Sequence, residues 1–460
     1  MRKKPKLSFW QIWNLSFGFL GVQIGYSLQN SNTSSILQVF GADLSSLSYF
    51  WLMAPIAGLV VQPIVGMFSD NTWSKRLGRR KPYILFGAII SAIALVLMPN
   101  CNKLLAFAPL VMGALVFLFM DLSFNITMQP FRALVTDMLD DSQKTEGFVI
   151  QTFLINLGSI IGALLPLIMT WIGVSDSAPQ GDVAAHIAWS YYAGAAILLA
   201  TVLVTIFTVK EYPPKEFAEY SGASEQEAAR PEEKKSFWQL LKTVPKTMLE
   251  LGVVQFFSWA ALFLMWNYLK PLITRSFIVG DTINLGAAQT WTGVLNAVYP
   301  ISACIASLLM TRLSNKFGSK PVYSATLLCG AIGFIWLGFA HNQYEQMIPM
   351  LFIGIAWAGI LAMPYSILSK AIDGRASGTY MGIFNFTVVI PQICMGILGG
   401  AMVSLIRNAA FGKGAYMALD GAAKAAADSR IAACIFIIAG VFMLLASLFV
   451  GIVKEKNATK

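Results

Sequence analysis

Charge is what this chain has least of. Asp, Glu, Lys and Arg make up 12% of its 460 residues against 56% hydrophobic, and the mean hydropathy is +0.64. A water-facing surface needs far more charge than that, so a soluble globular domain is excluded. Histidine occurs twice, at His186 and His341, both at expected loop edges, which leaves little basis for a buried histidine relay. The five cysteines, Cys101, Cys304, Cys329, Cys394 and Cys434, are scattered with no CxxC spacing. They read as small apolar fillers, not as a disulfide framework or a metal site. No HExxH, no GxSxG and no buried pair of acids is present, so nothing indicates an enzyme, a metal or an organic cofactor.

Apolar runs of membrane-spanning length recur along the chain. The expected spans are roughly 10–29, 47–68, 83–99, 104–138, 148–172, 187–208, 247–270, 288–311, 322–340, 347–369, 379–405 and 431–453. The fold class is therefore an all-α polytopic membrane protein of twelve transmembrane helices. The first run follows a basic start, as in a signal peptide, but it is longer, carries Gln23 and Gln29 and lacks a small-residue cleavage site; it reads as an uncleaved span. A polar stretch, EYPPKEFAEYSGASEQEAARPEEKKS, divides the spans six and six. It is expected to be a partly helical or disordered linker. The expected units are thus 1–209, a linker over 210–246, and 247–460.

The net charge of +10 reflects topology. With the N-terminus inside, 25 of the 33 Lys and Arg fall on inner loops and tails, seven on outer loops, and Arg132 inside a span. Both termini are expected in the cytoplasm, and no nucleic-acid partner is implied. Two segment pairs suggest an internal repeat. GRRKPY (78–83) matches GSKPVY (318–323), and MQPFRAL (128–134) matches AMPYSIL (362–368). Two related six-helix halves are the architecture of major facilitator transporters, which bind substrate between the halves.

Nearly all of the 23 acids lie in loops, tails or span ends. Asp70, Asp137 and Glu250 sit near inner ends of spans; Asp121 alone lies well inside one. An ionised group at mid-helix costs about 2.5–3.5 kcal/mol to insert. The default reading is functional, with proton or ion coupling first. A lone carboxyl suits a proton, whereas a sodium ion usually wants several oxygen ligands. At helical spacing Asp121, Asn125, Met128 and Arg132 form one stripe, with Asp121 and Arg132 about 16 Å apart. That is too far for an ion pair and suits opposite ends of an elongated ligand. Pro130 lies between them and should bend the helix. The alternatives for Arg132 are reaching to the inner interface or pairing with Asp137.

The remaining polar groups inside spans are amides: Gln23, Gln29, Gln151, Asn156, Asn267, Asn296, Asn385 and Gln392. Amides donate and accept, as sugar hydroxyls do, and Trp259, Trp266, Trp291 and Trp357 offer faces for pyranose rings. The structural alternatives are interhelical hydrogen bonds and interfacial aromatic belts. Asn385 and Gln392 are seven apart, placing them on one helical face. One acid and one base leave little to neutralise a charged substrate, so an uncharged polyhydroxylated one is favoured.

GMFSDNTWSKRLGRRKPY (66–83) carries Asp70 at a helix end and Arg79, Arg80 and Lys81 on the loop after it. Such a set, with Asp137, can latch the inner side of a transporter in one state, and such loops are major facilitator signatures. The SD…SKRLGRRKP spacing resembles the loop of sucrose-type proton symporters. GVQIGYSLQ (21–29), QPFRALVTDM (129–138), GVLNAVY (293–299) and GTYMGIFNFTVVIPQ (378–392) also resemble spans 1, 4, 8 and 11 of that family. The resemblance implies a major facilitator fold, and it places a proton-carrying Asp at Asp121. Substrate contacts are expected from Asn125, Arg132, Gln23, Gln29, Asn156, Trp266, Asn267, Asn296, Asn385 and Gln392. The plant sucrose symporters carry an acid in span 7 where this chain has Trp266, Asn267 and Tyr268. That stretch looks more like bacterial members associated with maltose and related α-glucosides. The implied protein is a monomeric proton-coupled α-glucoside symporter of a bacterial inner membrane, with no cofactor beyond H⁺. A passive sugar facilitator, a sodium-coupled symporter and a membrane sugar sensor are the alternatives.

Overall fold

The computed structural model describes residues 4–42, 47–175, 178–179, 181–221, 242–372, 374–419 and 421–454. Long helices dominate it. In chain order they are α1 (Phe9–Val39), α2 (Leu47–Asp70), α3 (Lys81–Leu97), a short α4 (Cys101–Leu104), α5 (Pro109–Met138), α6 (Lys144–Trp171), α7 (Ala185–Thr208) and α8 (Pro214–Ser221). After residues 222–241, where most of the expected linker falls outside the described residues, come α9 (Lys246–Thr274), α10 (Leu285–Phe317), α11 (Ser319–Phe339), α12 (Met347–Ala371), α13 (Ser377–Phe384), α14 (Phe386–Phe411), α15 (Lys413–Met417) and α16 (Gly421–Phe449). A two-residue antiparallel ribbon, β1 (Ile278–Val279) with β2 (Thr282–Ile283), follows α9. Among the described residues ten helices, of 21 to 35 residues, are apolar and long enough to cross a bilayer. Helices α1 and α2, with 31 and 24 residues, have the length as well.

The contacts divide the chain into two compact units. The first runs to Pro245 and takes in Leu368–Phe386; the second holds Lys246–Ile367 and the chain from Thr387. In the first unit α1 packs on α5, α6 and α7, and α3 packs on α5 and α7. Helices α2, α5 and α13 contact one another. In the second unit α16 is the hub, packed against α9 and α11.

Two local features follow the sequence repeat. Gly78 and Gly318 open the repeated loops, with φ of 88° and 87°. Only glycine adopts that left-handed backbone without strain. Each is followed by a helix with a proline in its first turn, Pro82 in α3 and Pro321 in α11, where the missing N–H leaves no bond unmade.

In an apolar solvent, helices hold together by close packing of small residues more than by hydrophobic burial. The α1–α6 contact is built that way. Gly158 and Gly162, four apart on α6, face the α1 backbone. A Cβ on either would sit 2.5 Å from the Leu20 carbonyl oxygen or 2.6 Å from that of Ile24. Gly162→Val should therefore force α1 and α6 apart, at a cost of about 1–3 kcal/mol. The expected readout is a lower melting temperature in detergent; an unchanged melt would contradict this packing.

Candidate functional site

Asp121 sits in the middle of α5, 2% exposed. Its partners are neutral amides. Gln29 of α1 donates Nε2–H to Oδ1 at 3.0 Å, and Asn125, one turn along α5, donates Nδ2–H to Oδ2 at 3.1 Å. The same Asn125 amide also donates to the Asp121 backbone carbonyl at 2.9 Å. Gln62 of α2 then donates to Asn125 Oδ1 at 2.7 Å. Asn385 donates to the Gly58 carbonyl of α2 at 3.3 Å, and a Cβ on Gly58 would lie 3.2 Å from Asn125 Oδ1 and 3.4 Å from Asn385 Nδ2. Three helices and the Asn385 junction thus bring a polar cluster around one carboxyl inside the first unit.

Of the expected stripe, Met128 is buried and Arg132 half-buried. Asp137 does not wait for Arg132, because it is engaged by Arg80 and Ser377. Helix α5 continues across Pro130, which has no N–H to give the Ile126 carbonyl.

The second cluster lies at the C-terminal ends of α2 and α5. Arg80 is completely buried. Its Nε donates to Asp137 at 2.7 Å, its Nη2 to Asp70 and to Ser377 (2.9 Å), and its Nη1 to Ser69. Asp70 also pairs with Arg79 at 3.0 Å and accepts from the backbone N–H groups of Gly378 (3.0 Å) and Thr379 (2.7 Å) at the start of α13. A carboxylate at a helix N-terminus meets unsatisfied N–H groups and the positive end of the helix dipole. The four residues expected to form a latch, Asp70, Arg79, Arg80 and Asp137, are thus brought into one network.

Glu211 completes this region and was not singled out from the sequence. Its carboxyl accepts from the backbone N–H groups of Arg79 (2.9 Å), Arg80 (3.0 Å) and Lys81 (3.0 Å), capping α3. In return Lys81 Nζ donates to the Ile206 and Val209 carbonyls at the end of α7. The signal was available as an acid just past the end of span 6, but nothing in the sequence separates it from other loop acids. Gln62 was passed over because its partner lies 63 residues away on another helix. Ser377 and Thr379 were missed for the same reason.

Other expected contacts are committed elsewhere. Gln23 donates to Ser159 at 3.0 Å, tying α1 to α6. Asn156 donates to the Thr152 carbonyl and Asn267 to the Phe263 carbonyl, each one turn back along its own helix. Asn267 and Asn296 are exposed, and Gln392 is half-buried. Asn385 stands between α13 and α14 with helical backbone angles.

In the second unit, Trp266 joins an aromatic group with Trp259 and Trp357 at ring-centroid distances of 6.3 and 6.0 Å. Tyr299 packs on Trp357 at 6.1 Å. Trp266 remains 39% exposed. The edge-to-face geometry leaves part of that ring face open to a partner.

Burial pushes the Glu211 carboxyl above its ordinary range, against the pull of the three backbone donors. An acid whose folded value is raised binds its proton earlier in the folded state than in the unfolded one. Its contribution is therefore largest at low pH and declines as pH rises through the folded value. Glu211→Gln removes the titration, so the wild type should gain melting temperature on the variant as pH falls from about 7.5 to about 5. A constant difference between the two would contradict this account.

The chain matches the family model for MFS/sugar transport protein over residues 36–453. It is similar to sucrose transport protein SUT5 of Oryza sativa subsp. indica, 23% identical over 86% of this chain and 81% of that protein. It is also similar to sucrose transport protein SUC4 of Arabidopsis thaliana, 25% identical over 83% of this chain and 81% of that one. Among solved structures it resembles the major facilitator proton:xylose symporter XylE, with a TM-score of 0.64 at 14% identity, covering 94% of this chain and 93% of the other. The E. coli fucose:proton symporter FucP gives 0.62 at 14% identity, covering 94% and 98%. At such identities the structural likeness speaks for the fold alone. With the family model spanning most of its length, this chain is a helical membrane protein of the major facilitator fold and belongs to the MFS sugar transport family, which contains transporters and not enzymes.

Proposed function

We propose that the protein is a proton-coupled symporter of a neutral α-glucoside, with maltose favoured over sucrose, and that Asp121 is the proton site. The observation that carries this reading is the setting of Asp121, a buried carboxyl in mid-helix whose partners are amides. A carboxylate that served only as packing glue would be expected to hold a fixed cation, as Asp137 holds Arg80. Against neutral partners, a proton can come and go without leaving a second charge stranded.

The sodium-coupled alternative has less support. Gln29 and Asn125 turn N–H groups, not oxygens, toward the carboxyl, whereas a sodium site needs oxygens. A passive facilitator would have no use for a buried acid at this cost.

The preference for maltose rests on Trp266, Asn267 and Tyr268 standing where the plant sucrose symporters carry an acid, and on the likeness of that stretch to bacterial maltose-type members. The same likeness favours a bacterial inner membrane. The excess of Lys and Arg on one set of loops favours cytoplasmic termini, and a monomer is the expected state. In this scheme Asp121 takes a proton from the outer side, and sugar binds through Asn125 and Arg132. The Asp70–Arg80–Asp137 network holds and releases one conformational state.

In liposomes with an imposed pH gradient, the wild type should accumulate maltose above equilibrium, with sucrose, trehalose and glucose taken up less. Asp121→Asn should abolish accumulation while maltose exchange across the membrane continues. If the variant accumulates maltose as the wild type does, Asp121 is not the coupling site.

A further inference from the structure

Taking Asp121 as the proton site, we propose that Asn125 and Gln62 form a hydrogen-bond relay that converts its charge state into donor or acceptor character at the far end of Gln62, where a sugar hydroxyl is received. The direction of each bond in the cluster follows from the carboxyl. A carboxylate can only accept, so each amide beside it must present N–H. Gln29 and Asn125 do so, at 3.0 and 3.1 Å.

An amide carries its oxygen and nitrogen on opposite sides. Asn125, having turned its nitrogen to Asp121, turns Oδ1 to Gln62 and receives Gln62 Nε2–H at 2.7 Å. Gln62 is then left with Oε1 at its outer end. That oxygen is buried and meets no donor among the described residues, and Gln29 Oε1 is in the same position. The two side chains are 4% and 0% exposed. A buried bare acceptor is unfavourable, and a purely structural network would be expected to close on itself. Two bare acceptors on either side of one carboxyl instead fit a site that awaits hydroxyl donors.

A proton on Asp121 reverses the order. When the proton sits on Oδ2, that oxygen donates to Asn125, which presents Oδ1 and gives up its bond to the Asp121 backbone carbonyl; its nitrogen swings to Gln62, and Gln62 offers Oε1 to Asn125. The outer end of Gln62 changes from acceptor to donor. The proton itself stays on Asp121 until it leaves to water on the other side; no proton travels through the amides, and no bond other than hydrogen bonds changes. The turning side chains have space beside Gly58, where a Cβ would press to 3.2 Å on Asn125 Oδ1.

Few other charges act on the relay. Tyr26 of α1 senses both Asp121 and Arg132, and Arg132 lies three turns along α5 itself. Asp70 on α2, and Lys81 and Tyr83 on α3, sit at the inner ends of those helices, and α13 carries Tyr380.

The test is sugar affinity as a function of pH, measured by equilibrium binding of maltose and of sucrose to purified protein between about pH 5.5 and 8.5. The wild-type Kd should change about ten-fold across that range for whichever sugar binds. Gln62→Leu, which keeps the shape and removes the amide, should bind more weakly with a Kd that is nearly independent of pH. Gln62→Met should do the same, and either variant serves if the other fails to fold, judged by its melting curve. A Gln62 that only fills space would weaken binding equally at every pH and leave the wild-type slope, and that result overturns the relay. Asp121→Asn separates the two levels of the argument. If it is flat while Gln62→Leu and Gln62→Met keep the slope, the relay is wrong and Asp121 stands. If Asp121→Asn keeps the slope, or neither sugar binds the wild type, the functional reading itself fails.

Discussion

A charge placed among apolar helices has to be answered by the protein, because the surrounding lipid offers nothing. Two buried ionisable groups in the first unit are answered in opposite ways, and much of the architecture follows from that difference. Arg80 is held by the carboxylates of Asp70 and Asp137 and by the hydroxyls of Ser69 and Ser377. Asp121 is held by amides. The first arrangement fixes a charge, since removing either partner would strand the other at a cost of several kcal/mol. The second surrounds a carboxyl with neutral amide donors.

That contrast assigns different work to the two ends of α5. Its C-terminal end, at Asp137, ties α2, the 79–81 loop and the start of α13 together through Arg80. Glu211 and Lys81 reinforce the same region by satisfying opposite helix termini, the N–H groups of α3 and the carbonyls of α7. Four backbone segments converge on a few charged side chains, so a change in one is felt by all. The middle of α5, at Asp121 and Asn125, instead meets neutral polar side chains from α1 and α2. Close glycine contacts, such as that between Gly158 and the α1 backbone, set the helix positions on which both clusters depend.

The sequence made the class and the main site legible for a simple reason. Few polar residues occur in the spans, so each one that does stands out. Asp121 could be picked because nearly every other acid lay at a span end or in a loop. Gln29 and Asn125 were legible as amides close to that level, and the latch residues as a dense run of charge. What stayed hidden depends on tertiary distance. Gln62 is one amide among many until α2 is placed beside α5. Glu211 is one loop acid among many until the α3 N-terminus is placed against it. Asn267 looked equivalent to Asn125, and both donate to the carbonyl one turn back, but Asn125 also meets the Asp121 carboxyl, a difference that comes from the residue four positions earlier.

The central claim is that sugar and proton move together through a site built on Asp121. The most direct check starts with no pH gradient: protein in liposomes carrying an internal pH dye, with an inward maltose gradient as the sole driving force. Coupled transport predicts that the lumen acidifies as maltose enters and that the acidification stops when the sugar gradient is spent. Maltose entry at an equal rate with a steady internal pH would contradict the account.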